Sequence, residues 1–319
     1  MDFVFKRTNE LSTQEIEGIA ALFEAVFGKQ RSVETHLAQF VNNPLGYSYH
    51  SFIKDDEGAI VGINSYVPVY YLVNGQKYLF ANSIDSMIAK KYRDFFAFKE
   101  MVDLAYSKMK EEGVVFVYGY PNDNAYPVLV KSRMMKPIGK MWTYCLPLHV
   151  GGIKPALKVL NPLSELFCRA YAGCASLFAS SKKTGYLVEK EHESYNASRY
   201  KRGDGKYNIV DLGHGVTVYY KIKLHEGVRT AFIIDLSEKS SKAFNKAVKY
   251  IISHHREEFD ILIYPGFLPF LNTGMIRIPR KFEPKNFNLT GKLLDKKALP
   301  KEIWEIKNWD TNLSNYDLI

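Results

Sequence analysis

Asp85-Ser86-Met87-Ile88-Ala89-Lys90-Lys91-Tyr92-Arg93-Asp94-Phe95-Phe96-Ala97-Phe98-Lys99-Glu100 is the stretch on which the reading of the fold turns. A strand-like run, Tyr78-Leu79-Phe80-Ala81-Asn82-Ser83-Ile84, leads into it. Apolar residues at Phe98, Met101, Val102, Ala105 and Met109 then predict an amphipathic helix ending near Glu112-Gly113. Strand, basic turn and helix together make an anion site. The first amides of a helix have no partner within it, and its dipole favours negative charge there. Lys90, Lys91 and Arg93 add positive charge ahead of that helix.

Upstream, Ser12 and Glu15 form a capping box that opens a helix, and Gly28 closes it. Ser32 caps a second helix, which Asn43-Pro44 stops. Three strand signals follow in meander order, the last two joined by the hairpin turn Asn74-Gly75. Downstream of the quoted stretch, Val114-Val115-Phe116-Val117-Tyr118-Gly119-Tyr120 reads as a strand buried on both faces. A short helix to about residue 134 and a strand over 140–148 complete the first half.

The order β-α-α-β-β-β-α-β-α-β resembles the GCN5-related N-acetyltransferase (GNAT) superfamily over about residues 3–148. In that family a turn of pattern R-x-x-G-x-G/A after the fourth strand binds the pyrophosphate of acyl-CoA. The acyl group lies where the fifth strand splays from the fourth. Tyr92, Arg93 and Asn124 match the local motif; Asp94 and Phe96 stand where relatives with Y-R-G-x-G carry glycines. The resemblance implies a cofactor site at Ile88, Arg93, Asp94, Phe95, Phe96, Ala97, Phe98 and Asn124. The backbone amides of Phe95 to Phe98 would do most of the anion binding.

Residues 149–185 read as a connection. Leu163, Leu166, Phe167, Ala170, Tyr171, Cys174, Leu177 and Phe178 keep helical spacing, which predicts a helix packed between two domains rather than on a membrane surface. The second half repeats β-β-α-β-α-β, and its junction Asp235-Leu236-Ser237-Glu238-Lys239-Ser240 has no arginine or glycine. The expected architecture is therefore α/β (α+β), with two tandem GNAT-like domains. Each is a mixed, mainly antiparallel twisted sheet flanked by helices. Residues 1–150 form the copy with the acyl-CoA site, 151–185 a helical linker, and 186–319 a degenerate copy. The segment from Asn308-Trp309-Asp310 to Asn315-Tyr316-Asp317 resembles the closing segment of bacterial tandem acyltransferases.

Acyl transfer from a thioester to an amine needs a base for the amine and an acid for the leaving thiolate. Asp85, beside the expected splay, is the candidate base; as a turn ligand for backbone amides it would look the same. Tyr126 is the candidate acid, with core packing as its other reading. Asn124 has two readings as well, a ligand for the pantetheine amides or a helix cap.

The favoured function is direct acyl transfer from acetyl-CoA or another acyl-CoA to a small-molecule or sugar amine, an amino sugar by family resemblance. The alternatives are a FemABX-like ligase using aminoacyl-tRNA, which the net charge of +9 would suit, and a non-catalytic binding protein that has lost the cofactor turn. Cys145, Cys168 and Cys174 form no C-x-x-C, and Glu191-His192-Glu193 has no partner at zinc spacing, so neither a disulfide framework nor a metal is expected. No apolar run reaches the length of a membrane span and no signal-peptide core is present, so the cytoplasm is the expected location.

Overall fold

The structure, a computed structural model, describes residues 1–201, 206–283 and 285–316. Asp317, the last residue of the closing motif, lies outside them. The chain begins with β1 (Asp2–Arg7), α1 (Thr13–Phe27), α2 (Val33–Val41), β2 (Tyr49–Lys54), β3 (Ile60–Val73) and β4 (Gln76–Ile88). It continues through α3 (Phe95–Glu111), β5 (Val114–Gly119), α4 (Ala125–Lys131), β6 (Lys136–Lys140) and β7 (Trp142–Pro147). Next come α5 (Val150–Ile153), α6 (Asn161–Leu177), β8 (Val188–Lys190), α7 (His192–Arg199), β9 (Asn208–Asp211), β10 (Thr217–His225) and β11 (Val228–Leu236). The last named elements are α8 (Ser241–His255), β12 (Ile261–Gly266), β13 (Ile276–Arg277) and β14 (Asn288–Leu293).

Two compact units result, each built from three segments. Unit 1 takes Met1–Gly139, Leu187–Gly205 and Asn288–Glu305; unit 2 takes Lys140–Tyr186, Lys206–Phe287 and Ile306–Ile319. Each has a mainly antiparallel sheet flanked by helices, ordered β1-β2-β3-β4-β5-β14-β6 in unit 1 and β13-β7-β12-β11-β10-β9 in unit 2. The contiguous division at 150 and 186 does not describe this arrangement. In unit 1, β5 takes its outer neighbour from far down the chain, with Thr290 opposite Gly119. In unit 2, β12 pairs with β7, Ile263 opposite Cys145. Such long-range strand choices leave no local signature. For the same reason the strand expected over 140–148 starts only at Trp142, since Lys140 still belongs to β6. No helix stands between β12 and β13, where a short one was expected; that connection is irregular.

Local rules account for most of unit 1. Ser12 accepts from the Glu15 amide while Glu15 accepts from the Ser12 amide. The Asn74-Gly75 turn holds φ of 51° and 77°, as a two-residue hairpin turn requires. Val102, Ala105 and Met109 of α3 pack with Tyr49, Tyr66 and Val117. Beneath them lies a buried polar chain, in which His50 Nε2 meets Thr8 Oγ1 at 2.9 Å and His50 Nδ1 meets Ser65 Oγ at 2.9 Å.

Burial holds the His50 imidazole down to about 3, and burial with the nearby Arg31 holds His36 to about 4, against 6.5 unfolded. Both histidines thus bind protons more weakly folded than unfolded. Their contribution to stability is complete above the unfolded value and declines as pH falls below it. Urea unfolding of unit 1 should therefore lose about 2 kcal/mol between pH 7 and pH 5.5. A flat profile over that range would contradict the buried, neutral histidines.

In unit 2 the helical spacing of Phe244, Ala247, Val248, Ile251 and Ile252 on α8 gives the core face. The face of α6 is reversed. Its small residues Cys168 and Ala172 enter the core, while Leu163, Leu166, Phe167 and Leu177 are exposed. Cys168 packs against β7, its Sγ 3.4 Å from the Pro147 carbonyl oxygen, so α6 is an integral helix of unit 2 rather than a linker.

Candidate active site

In unit 1, β4 and β5 run parallel from Leu79 opposite Val114 to Ser83 opposite Gly119, and pairing ends there. β4 continues to Ile88, held only by β3, while β5 stops. The two strands therefore open into a gap past Ser83 and Gly119. Gly119 sits at the fork, where a Cβ would come 3.3 Å from the Ser83 carbonyl oxygen. Within the open part of β4 the register with β3 shifts, and Asp85 adopts φ 46°. A bulge of this kind re-aims the side chains around it.

Asp85 thereby reaches Arg31, whose Nη1 donates to Asp85 Oδ2 at 2.8 Å and to Gln39 Oε1 at 2.9 Å. The guanidinium also lies 4.0 Å from the centre of the Phe23 ring. Arg31 was not among the residues singled out in the sequence. It lies in the Lys29-Gln30-Arg31 run between two helices, and nothing local connects it to position 85.

After Ile88 the chain makes a single 3-10 turn, Lys90–Tyr92. Tyr92 hydroxyl donates to Asp55 Oδ2 at 3.1 Å, and Arg93 Nε donates to the Ile88 carbonyl at 3.2 Å. Lys90, Lys91 and Arg93 are exposed. Asp94 is the cap of α3, its Oδ2 accepting from the Ala97 amide at 2.8 Å. That bond corrects part of the expected anion site. The Phe98 amide bonds to the Asp94 carbonyl, as a helix requires, and the Ala97 amide is occupied by the Asp94 side chain. Of the four amides expected to face a phosphate, those of Phe95 and Phe96 remain. Phe96 projects into solvent, 76% exposed.

On the other side of the gap, Asn122 caps the start of α4. Its Oδ1 accepts from the amides of Asn124 at 3.1 Å and Ala125 at 2.9 Å. Asn124 makes no side-chain capping bond and is exposed. The capping reading of Asn124 therefore passes to Asn122, two residues earlier. Tyr126, half-buried, follows on the same helix.

Unit 2 repeats the parallel pair, with β11 and β12 in register from Thr230 opposite Ile261 to Phe232 opposite Ile263. Beyond it, residues 310–314 bond to both strands. The Phe267 amide donates to the Thr311 carbonyl at 3.0 Å, and Gly266 bridges to Asn312. Asn312 Nδ2 donates to Asp235 Oδ1 at 2.7 Å, and Ser314 hydroxyl to Asp235 Oδ2 at 3.1 Å. The buried Lys239 ammonium pairs with Asp235 and lies 3.5 Å from Asp310. Burial alone would favour its neutral form, but the two carboxylates outweigh burial and raise it above the usual lysine range. The chain itself thus occupies the end of this second fork. No group of three His, Cys, Asp or Glu able to hold a metal ion occurs among the described residues.

The profile of the acetyltransferase (GNAT) domain family matches residues 7–129. Among curated proteins none matches at a significant level. Solved structures with the same fold include a GCN5-related N-acetyltransferase from Anabaena variabilis, 16% identical with a TM-score of 0.60. Another from Kribbella flavida is 12% identical with a TM-score of 0.56. Eis1 from Mycobacterium abscessus is 14% identical with a TM-score of 0.54. The alignments cover 92%, 92% and 93% of this chain and 73%, 71% and 75% of those chains, so the likeness spans both units.

Proposed function

With residues 7–129 matching the acetyltransferase (GNAT) domain family, we propose that the chain transfers an acetyl or other acyl group from acyl-CoA to an amine, and that unit 1 does so. The observation that carries this reading is the end of β4–β5 pairing at Ser83 and Gly119, with β4 running on without β5 to Ile88, seven residues before α3 begins at Phe95. A thioester lying in the fork would direct its pyrophosphate to the amides of Phe95 and Phe96 and to the side chains of Arg93, Lys90 and Lys91. Asn124, relieved of capping, would hydrogen-bond the pantetheine amides. The amine nitrogen attacks the thioester carbonyl; a C–N bond forms and the C–S bond breaks. Asp85 takes the ammonium proton, directly or through water, and Tyr126 returns one to the thiolate. A small amine, an amino sugar among them, is the acceptor we favour. The three free cysteines suit a reducing cytoplasm.

The second unit is a non-catalytic copy in this reading, because residues 310–314 stand where its acyl chain would lie. One CoA per chain should therefore bind. Titration calorimetry and thermal shift with acetyl-CoA and longer acyl-CoAs test this. Arg93→Ala should weaken binding by roughly tenfold, the worth of one charge-assisted contact, with little change in melting temperature. Asp94→Asn keeps the cap and removes a negative charge from the phosphate site, so binding should tighten several-fold. Absence of any shift with millimolar acyl-CoA would sink the proposal. The non-catalytic reading, which Asp94 on the Ala97 amide favours, would then stand. A salt-sensitive shift with tRNA would point to the ligase instead.

A further inference from the structure

We propose that unit 2 docks on an anionic lipid surface through the outward face of α6 and the turn before it. The helix is amphipathic in an inverted sense. Its core side is narrow and built from Ser164, Cys168 and Ala172, with Ser164 hydroxyl donating to the Leu148 carbonyl at 2.6 Å. Its solvent side carries Leu163, Leu166, Phe167, Leu177 and Phe178, continued backward by Val159, which is 85% exposed. Leu271, 95% exposed, precedes Asn272, whose Nδ2 donates to the Ala175 carbonyl at 2.7 Å and ties this loop to the end of α6. Contiguous exposed apolar side chains of this number mark a contact surface.

Charge selects the partner. Residues 153–183 hold five cations, Lys154, Lys158, Arg169, Lys182 and Lys183, and one carboxylate, Glu165; Lys183 pairs with Glu238 at 3.0 Å, which leaves Lys154, Lys158 and Lys182 to carry the positive charge at the ends of the stripe. Glu165 is already engaged by Arg169 at 3.4 Å and Arg256 at 3.3 Å. The lysines sit at the two ends of the apolar stripe. A second copy docked two-fold on this face would bring lysine to lysine at both ends, whether the helices ran parallel or antiparallel. Lipid phosphates would meet the same lysines with opposite charge, while the leucines and phenylalanines enter the acyl boundary. No helix among the described residues is long and apolar enough to cross a membrane, so α6 would lie in the plane of the interface.

Sedimentation of the full chain with vesicles tests this. Binding should be strong to phosphatidylcholine vesicles containing a quarter phosphatidylglycerol, weak to phosphatidylcholine alone, and reduced by salt. Leu166→Glu with Phe167→Glu should weaken it at least tenfold, and Lys154→Glu with Lys158→Glu severalfold, with melting temperatures unchanged because these side chains are exposed. Failure of the wild-type chain to sediment with anionic vesicles would overturn the proposal. So would a light-scattering dimer that the Leu166/Phe167 variant splits while neither protein binds vesicles; that result would assign the face to a second copy.

Discussion

Replacing Lys239 with methionine should lower the stability of unit 2 by about 3–5 kcal/mol, the usual cost of removing one partner from a buried ionic group. The methionine can fill the lysine's volume, so the loss reports charge rather than packing. Asp235 and Asp310 would be left together, 1% and 2% exposed, without the ammonium between them. Asn312 and Ser314 still donate to Asp235, but neutral donors offset only part of an uncompensated buried charge. Urea unfolding followed by the buried Trp309, next to Asp310 in the chain, would read the effect where it occurs. Adding Asp235→Asn and Asp310→Asn to the methionine variant should restore most of the loss, because the conflict is between like charges. A loss below about 1 kcal/mol would mean that the cluster behaves as a solvated pair. The acyl-CoA affinity of unit 1 should not change in any of these variants under the proposed division of labour.

The Lys239 cluster also shows where the sequence stops being legible. The junction at 235–240 was readable as degenerate because it lacks the arginine and glycines of a phosphate turn. Nothing near it announces that its aspartate and lysine clamp a segment more than seventy residues away. What the sequence makes plain is local: the capping box of Ser12 and Glu15, the Asn74-Gly75 turn, the inward stripes of α3 and α8. Each such signal lies within a few residues of its effect. The exchange of β7 and β14 between halves, and the Arg31 partner of Asp85, are long-range choices among many similar strands and cations. The α6 misreading has another cause. Spacing identifies a helix and one of its faces, but core and contact surface share the same residue types. The Asp94 bond to the Ala97 amide was within reach of local rules, since an aspartate three residues before a helical amide is a common cap.

Tyr126→Phe should lower kcat by about a hundredfold while leaving acyl-CoA affinity within twofold, if Tyr126 protonates the departing thiolate. The placement that motivates this is specific. Asn122 fixes the entry to α4 through two backbone amides, and the Tyr126 amide donates to the Asn122 carbonyl at 2.9 Å, so the ring leaves the helix from its first turn. Removing the hydroxyl takes away a proton donor and little packing, and a half-buried ring should keep the melting temperature within a degree or two. The leaving group supplies the decisive control. An acyl donor built on a more acidic thiol needs less help in departing, so the deficit of the phenylalanine variant should shrink with that donor and persist with acyl-CoA. Asp85→Asn should behave differently: with the base removed, the deficit should depend on the acceptor's basicity and not on the thiol. A Tyr126 deficit indifferent to the leaving group, or a kcat unchanged by the substitution, would return the residue to a packing role. The acid would then have to be sought elsewhere along the fork.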